Sequence, residues 1–249
     1  AWAMCEHIKR GQFQPENFEF SFREGRIDRL DTYEKDGKLY IKIIDYKSGN
    51  KQFEMADVFN GLQLQLVYYM GEAVKLKEAV EQGVEIVPGG TFYFQIKSPF
   101  VECRETIEDE KLAELLLKEY KMSGLVNSEI VPSVAMDEHL QEEKAESVII
   151  PMKNKELGQV VAGSGLNQEK FKQMIGKVEE ISNQFVAEIL DGHIEKNPYM
   201  KSQITPCNYC SYKSICEFNP LEFGNQHKKL LKSLKPEDVI ALLDGENSG

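Results

Sequence analysis

Two short motifs contain the side chains of this sequence that are best suited to chemistry. The first, Gly-Arg-Ile-Asp-Arg, contains Asp28; the second, Ile-Ile-Asp-Tyr-Lys-Ser-Gly, contains Asp45 and Lys47. Because side chains alternate between the two faces of a strand, Asp45 and Lys47 would share one face and Tyr46 would point the other way. Two carboxylates beside an ammonium can hold a hard divalent ion and a water molecule to be activated. This composition is typical of metal-dependent nucleases.

A β-hairpin would position these side chains. The stretch Ile-Lys-Ile-Ile before Asp45 is largely apolar, and an acid at the end of a core strand rarely lacks a partner or a metal. The Asp-Gly pair at residues 36–37 is typical of a tight turn between two strands. The hairpin would therefore return Asp45 to the end at which Asp28 lies. Chance occurrence of Asp-x-Lys on an exposed strand is the alternative, and the pairing with Asp28 argues against it.

A third motif, Leu-Gln-Leu-Gln-Leu-Val-Tyr-Tyr, follows the hairpin. Apolar residues recur here at helical spacing, which predicts one long helix over residues 54–82. Gln65 and Tyr69 are four residues apart and would share one face of it. A polar pair on an ordinary amphipathic helix is the simpler interpretation of this motif alone.

Together the three motifs resemble those of the RecB-type PD-(D/E)XK nucleases, and within them the carboxy-terminal nuclease domain of the AddB family. The resemblance implies an α/β fold like that of restriction endonucleases, with a mixed central sheet flanked by helices. It implies that Gln65 and Tyr69 flank the metal site and contact DNA, with Gln63 as the weaker candidate for the glutamine. It also implies that an upstream histidine can add a metal ligand. His7 is the candidate, although a solvated surface histidine is the preferred interpretation.

Three cysteines near the other end form a second signal. Cys207, Cys210 and Cys216 lie within Pro-Cys-Asn-Tyr-Cys-Ser-Tyr-Lys-Ser-Ile-Cys-Glu-Phe. Thiolates select zinc or iron–sulfur clusters over hard ions, and both kinds of centre want four ligands. In the AddB family a distant upstream cysteine completes a [4Fe–4S] cluster, and no cysteine of this sequence matches it. We expect the chain to be a fragment whose cluster is complete only in the parent protein, or with Cys5, or not at all.

Composition bounds the remaining possibilities. The chain has 249 residues, 41% of them hydrophobic, and no apolar run long enough to predict a transmembrane helix. Five cysteines, three of them clustered, favour a reducing compartment and the cytoplasm. A net charge of −11 argues against DNA binding over the whole surface and favours a local groove. Basic residues do cluster in sequence around the proposed site: Arg23, Arg26, Arg29, Lys47 and Lys51.

The elements expected around the site complete the fold prediction. Residues 1–206 would form the nuclease core, with an insertion at about 125–166 that passes over it, and residues 207–249 the cysteine loop and tail. Further expected elements are strands at 18–22, 91–96 (after a break at Pro-Gly-Gly) and 147–151, and helices at 108–122 (ended by Gly124) and 168–191 (capped by Asn167).

The resemblance implies a metal-dependent DNA exonuclease domain of a helicase–nuclease complex that processes double-strand-break ends in recombinational repair. Asp28, Asp45 and the Tyr46 carbonyl would hold Mg²⁺ or Mn²⁺, and Lys47 would orient the attacking water. The implied partners are a helicase subunit of the AddA type and the single-stranded DNA that it supplies. Two alternatives stay open: a stand-alone Fe–S RecB-like exonuclease and a catalytically inactive DNA-binding scaffold.

Overall fold

The computed structural model describes residues 2–22, 25–102, 107–156, 159–162, 164–230 and 236–245, so Arg23 lies outside the described residues. The strands in these ranges are β1 (Gln14–Phe22), β2 (Gly25–Lys35), β3 (Lys38–Lys47), β4 (Glu85–Gln95), β5 (Ser123–Asn127), β6 (Met152–Glu156), β7 (Gln159–Ala162) and β8 (Gly165–Leu166). The α-helices are α1 (Trp2–Lys9), α2 (Met55–Phe59), α3 (Gln65–Val80), α4 (Asp109–Glu119), α5 (Ile130–Met136), α6 (Gln168–Leu190), α7 (Lys213–Cys216) and α8 (Pro236–Gly245). Within these ranges, no helix is both long and apolar enough to cross a membrane.

Six strands form one mixed sheet in the order β1-β2-β3-β4-β5-β8. The pairs β1–β2, β2–β3 and β4–β5 are antiparallel, whereas β3–β4 and β5–β8 are parallel. A parallel pair needs a crossover connection, and α2 and α3 supply it between β3 and β4. Strands β6 and β7 form a separate antiparallel pair. The predicted α/β architecture with a mixed central sheet is confirmed.

The hairpin of β2 and β3 has the predicted turn. Asp36 and Gly37 have φ angles of 52° and 73°, and a tight type I′ turn requires positive φ at both central residues. Arg29 pairs with Ile44, so the preceding and following residues, Asp28 and Asp45, lie at the same open end. The predicted return of the second acid to the first is confirmed.

Helices cover both faces of the sheet. One face packs against α3, α6 and α8 through a core that includes Ile43, Met70 and Met174. The other face packs against α1, α4 and α5 through a core that includes Ile44 and Phe94. Because alternate residues share a face, the side chains of Asp45 and Lys47 belong to the face covered by α3.

A buried charge cluster lies on the opposite face. Asp31 is 0% exposed, and its two carboxylate oxygens accept hydrogen bonds from Arg29 Nε at 2.5 Å and Nη2 at 2.7 Å. Lys42 Nζ lies 2.9 Å from Asp31 Oδ2. Burial lowers the pKa of Lys42, and the Asp31 carboxylate opposes that shift. Sequence reasoning missed this cluster because its members look like solvated residues on a polar strand face.

His7 lies beside this cluster and is 4% exposed, so the prediction of a solvated histidine is wrong. Its ring packs edge-on against Phe94 with centroids 5.4 Å apart, and neither ring nitrogen has a hydrogen-bond partner among the described residues. Burial, together with the charges of Lys42, Arg29 and Arg10, lowers the pKa of His7 to about 3. Since Phe94 belongs to the core on the face opposite Asp45, His7 does not lie with the two carboxylates as a metal ligand.

Several predicted elements need correction. The helix predicted over residues 54–82 is two helices, because Gly61 adopts a left-handed φ of 76° after α2. The Pro-Gly-Gly stretch lies inside β4 rather than before it, with Gly89 as an extra residue at a shift in the β3–β4 register. Gly124 belongs to β5, where it packs closely against the backbone of Thr91, and does not end a helix.

The segment from 125 to 166 also differs from expectation. Part of it, in β5 and β8, joins the main sheet instead of passing over the core. Residues 147–151 form bends, and the strand begins only at Met152. In contrast, α6 begins at Gln168 as predicted, and the Asn167 side chain caps it by accepting a hydrogen bond from Lys170 N. Short apolar runs are ambiguous in sequence, whereas a capped amphipathic helix is not.

Replacing Asp31 with alanine should unfold the protein more easily, because Arg29 and Lys42 would remain buried without a counter-charge. We expect a loss of about 3–5 kcal/mol in the free energy of unfolding, measured by urea titration. The control is Glu114→Ala, which removes an exposed ion pair with Lys118 and should cost about 0.3–0.5 kcal/mol. Similar losses for the two variants would show that the buried cluster is not paired as described.

Candidate active site

Asp28 and Tyr46 join the two strands at the open end of the hairpin. The Tyr46 N–H donates a hydrogen bond of 2.8 Å to Asp28 Oδ2. The bond holds the half-buried Asp28 carboxylate against β3, next to the backbone of the residue whose carbonyl was predicted as a metal ligand. The geometry thus brings Asp28 and Tyr46 together, and their roles stay predictions.

Asp45 and Lys47 lie on the next positions of that face. Lys47 Nζ is 2.5 Å from Asp45 Oδ2, yet this oxygen accepts no hydrogen bond of acceptable geometry among the described residues. Asp45 is 4% exposed, and burial raises its pKa. The Lys47 ammonium opposes that shift and the Asp28 carboxylate adds to it. A buried carboxylate oxygen without a proper donor, next to a second carboxylate, is a donor set that suits Mg²⁺ or Mn²⁺.

Gln65 and Tyr69 complete a chain of contacts that starts at Asp45. Lys47 Nζ donates to Gln65 Oε1 at 3.2 Å, and Gln65 Nε2 donates to the Tyr69 hydroxyl at 3.1 Å. Gln65 is the first residue of α3, so Tyr69 follows it one helical turn later on the same face. The Tyr69 ring packs edge-on against Phe22, with centroids 5.4 Å apart. The structure therefore brings together all five predicted catalytic side chains.

Gln63 has a different set of partners. Its Nε2 donates to Asp57 Oδ2 at 3.0 Å and to the Gln52 carbonyl at 3.1 Å. Gln63 thus holds the segment between β3 and α3, and it does not contact Lys47. The preference for Gln65 over Gln63 agrees with this geometry.

The same segment is fixed by a lysine far away in sequence. Lys201 Nζ lies 2.7 Å and 2.8 Å from the two carboxylate oxygens of the buried Asp57, and 2.9 Å from Glu54 Oε2. Sequence reasoning missed this clamp because the two residues are 144 positions apart. The one signal in the sequence was an acid, Asp57, in the otherwise apolar stretch of α2.

Tyr93 and Lys51 are further neighbours that the sequence did not single out. Tyr93 pairs with Asp45 across the parallel β3–β4 ladder and is 1% exposed. Burial, with a contribution from the Asp45 charge, raises the pKa of Tyr93 to about 12. Lys47 Nζ and Lys51 Nζ lie over its ring, 5.6 Å and 5.3 Å from the centroid. Only the register of the parallel pair reveals these contacts, and motif spacing does not encode that register.

The three predicted cluster ligands lie apart from this site. Cys207 and Cys216 are partly buried and Cys210 is exposed, as is Cys5 on α1, and all four are free thiols. Nowhere in the described part of the chain do three or more His, Cys, Asp or Glu residues converge as metal ligands. As placed, the thiols do not fit a [4Fe–4S] cluster, which stays a prediction from the resemblance.

Comparison with known proteins decides the family. Residues 1–217 match the family model of the PD-(D/E)XK nuclease superfamily. The chain belongs to this superfamily. Its mixed sheet with helices on both faces is consistent with the PD-(D/E)XK fold, and Asp45 and Lys47 supply the D-x-K of the name.

Curated relatives of this PD-(D/E)XK chain are each named as one of the subunits of an ATP-dependent helicase/deoxyribonuclease. The protein of Clostridium acetobutylicum is 34% identical over 265 aligned residues, which cover 98% of the chain and 22% of the relative. A Thermoanaerobacter relative is 34% identical over 98% of the chain and 23% of its own length. The relative from Alkaliphilus metalliredigens is 35% identical over 99% of the chain and 23% of its own length. The chain thus spans less than a quarter of the length of these relatives.

Replacing Lys201 with methionine should weaken the fold around α2, because the Asp57 carboxylate would lose its charged donor. We expect a loss of about 1–3 kcal/mol in the free energy of unfolding by urea titration. Lys213→Met, at an exposed lysine of α7, is the control and should change it by less than about 0.5 kcal/mol. In an Asp57→Asn background the effect of Lys201→Met should largely vanish; an undiminished effect would contradict the clamp.

Proposed function

We propose that this chain is a DNA-cleaving domain of a helicase–nuclease complex and that it hydrolyses phosphodiester bonds with the help of Mg²⁺ or Mn²⁺. The observation that carries the proposal is the continuous set of contacts Asp45–Lys47–Gln65–Tyr69, with Asp28 bound to the backbone of Tyr46 beside it. Membership of a nuclease superfamily and the helicase/deoxyribonuclease name of the relatives support the same reaction class.

The ion would be held by Asp28, Asp45 and the Tyr46 carbonyl. The fit rests on hard oxygen donors and on the buried Asp45 Oδ2, which lacks a hydrogen bond of acceptable geometry in the described structure. Bound there, a divalent ion supplies a water of lowered pKa and charge compensation for the phosphate. Further ligands would come from phosphate oxygens and water, since Mg²⁺ is usually bound through only one or two carboxylates.

The side chains around these ligands have separate tasks. Lys47 carries its ammonium between Asp45 and Gln65, where it orients a water molecule and stabilises the negative charge that develops on the phosphate. Gln65 fixes that ammonium through its oxygen and, with Tyr69, positions the DNA strand. Placement of these groups by β3 and α3, two packed elements, keeps their geometry constant during the reaction.

The substrate would be single-stranded DNA that a helicase partner of the AddA type supplies during double-strand-break end processing. The net charge of −11 fits a domain that grips DNA only at a local site and depends on its partner for delivery. We place this process in the cytoplasm, in accord with the free thiols. An inactive scaffold would need neither the buried Asp45 nor its lysine, so the retained site argues against that alternative.

Asp45→Asn should abolish cleavage of labelled single-stranded DNA in Mg²⁺ or Mn²⁺, with a loss on the order of a thousandfold or more, because a charged oxygen ligand is removed. The same ions should raise the melting temperature of the wild-type protein and not that of the variant. Asp36→Asn, at the far end of the same hairpin, is the matched control and should retain both properties. Full cleavage by Asp45→Asn would refute the site.

Gln65→Ala should slow cleavage by about tenfold to a hundredfold, because the Lys47 ammonium would lose the acceptor that fixes it. The effect should appear in kcat measured with saturating DNA. Gln63→Ala is the matched comparison, and it should lower the stability of the α2 segment while slowing cleavage less. A larger loss of kcat in Gln63→Ala than in Gln65→Ala would reverse the assignment of the glutamine.

A further inference from the structure

A lysine outside the predicted catalytic set lies beside the site. Lys51 Nζ lies 5.3 Å from the centroid of the Tyr93 ring, within the usual range of a cation–π interaction. The same ring lies under the Lys47 ammonium, at 5.6 Å. Lys51 also acts electrostatically on Asp45, since its charge lowers the pKa of that carboxyl group against the larger effect of burial. Lys51 is thus within electrostatic range of the Asp45–Lys47 pair.

The backbone around Lys51 is anchored to the sheet. Gln95, which pairs with Lys47 at the end of β4, donates from its Nε2 to the Lys51 carbonyl at 3.2 Å and to Asn50 Oδ1 at 2.9 Å. The Lys51 N–H donates to the Gly49 carbonyl at 3.0 Å. These bonds hold the turn after β3 in one conformation. The lysine is therefore presented by a fixed turn and not by a free loop.

Lys51 has no counter-charge in the described part of the chain. Asp45 is taken by Lys47, and the Asp28 carboxylate is bound by the Tyr46 N–H. No described carboxylate lies within ion-pair distance of Lys51, although its side chain is half-buried. A partly desolvated ammonium without an anion is costly, and an anionic ligand would offset that cost.

We propose that Lys51 binds a phosphate of the DNA strand next to the bond that is cleaved, and that Tyr93 is the platform that positions it. The inference rests on the proposed nuclease function and extends it by a phosphate-binding residue and a positioning residue. The ring of Tyr93 positions the Lys47 and Lys51 ammonium groups together, so the same aromatic side chain aligns the reacting phosphate and its neighbour.

The test compares Lys51→Gln with the wild-type chain in binding a fluorescein-labelled oligothymidylate by fluorescence anisotropy. EDTA is present so that no cleavage occurs, and the salt concentration is varied. Loss of one phosphate contact on a single strand should reduce the slope of log K against log salt by about 0.7, or about fivefold in affinity at 0.1 M salt. Lys35→Gln, an exposed lysine at the closed end of the same hairpin, should leave the slope unchanged.

Two variants of the platform separate its ring from its hydroxyl. Tyr93→Phe keeps the ring and should keep the wild-type slope and stability, because the hydroxyl has no hydrogen-bond partner among the described residues. Tyr93→Leu removes the ring and should reduce the slope as Lys51→Gln does, provided that thermal unfolding shows a folded protein. A wild-type slope in folded Tyr93→Leu would overturn the role of the platform.

Cleavage in Mg²⁺ by the same wild-type preparation separates this inference from the proposed function. If the wild type cleaves and Lys51→Gln binds with an unchanged slope, the phosphate contact is refuted and the nuclease stands. If the slope changes as expected and the wild type cleaves no DNA, the phosphate contact stands and the nuclease function fails. Absence of measurable binding by the wild type in EDTA would overturn the inference.

Discussion

The register of the β2–β3 hairpin is the constraint on which the rest of the site depends. Because side chains alternate, a shift of one residue would move Asp45 to the face covered by α1 and bring Lys42 into the apolar core under α3. Two devices oppose that shift: the two-residue turn with positive φ at Asp36 and Gly37, and burial of both faces. One local turn thus decides which face of the sheet carries the chemistry.

The two faces use buried carboxylates in opposite ways. Asp31 accepts two hydrogen bonds from Arg29 and an ion contact from Lys42, so all of its charge is compensated inside the protein. Asp45 has one close ammonium and a buried oxygen without a proper donor in the described structure. Since native proteins satisfy most buried polar groups, an incompletely satisfied acid is characteristic of a functional site. The contrast assigns stability to one face and chemistry to the other.

What the sequence could predict was local. The Asp-Gly turn, the alternation around Asp45 and the Asn167 cap each depend on a few neighbouring residues, and the structure has all three. The break after α2 could not be predicted because it depends on distant packing: a Cβ on Gly61 would lie 2.7 Å from the Phe185 ring of α6. Likewise, the place of Tyr93 under the two lysines depends on a parallel register that no local pattern contains.

That break has a consequence for the site. Because α3 begins at Gln65, the glutamine that binds Lys47 is held by the segment preceding it as well as by its helix. Gln63 ties this segment to Asp57, and Asp57 is bound by Lys201, six positions before the first cysteine of the cluster motif. The contacts from Lys201 to Lys47 are therefore continuous, through two short hydrogen-bonded steps and one turn of chain. A single uninterrupted helix over residues 54–82 would have left the cysteine-bearing end of the chain without this connection to the chemistry.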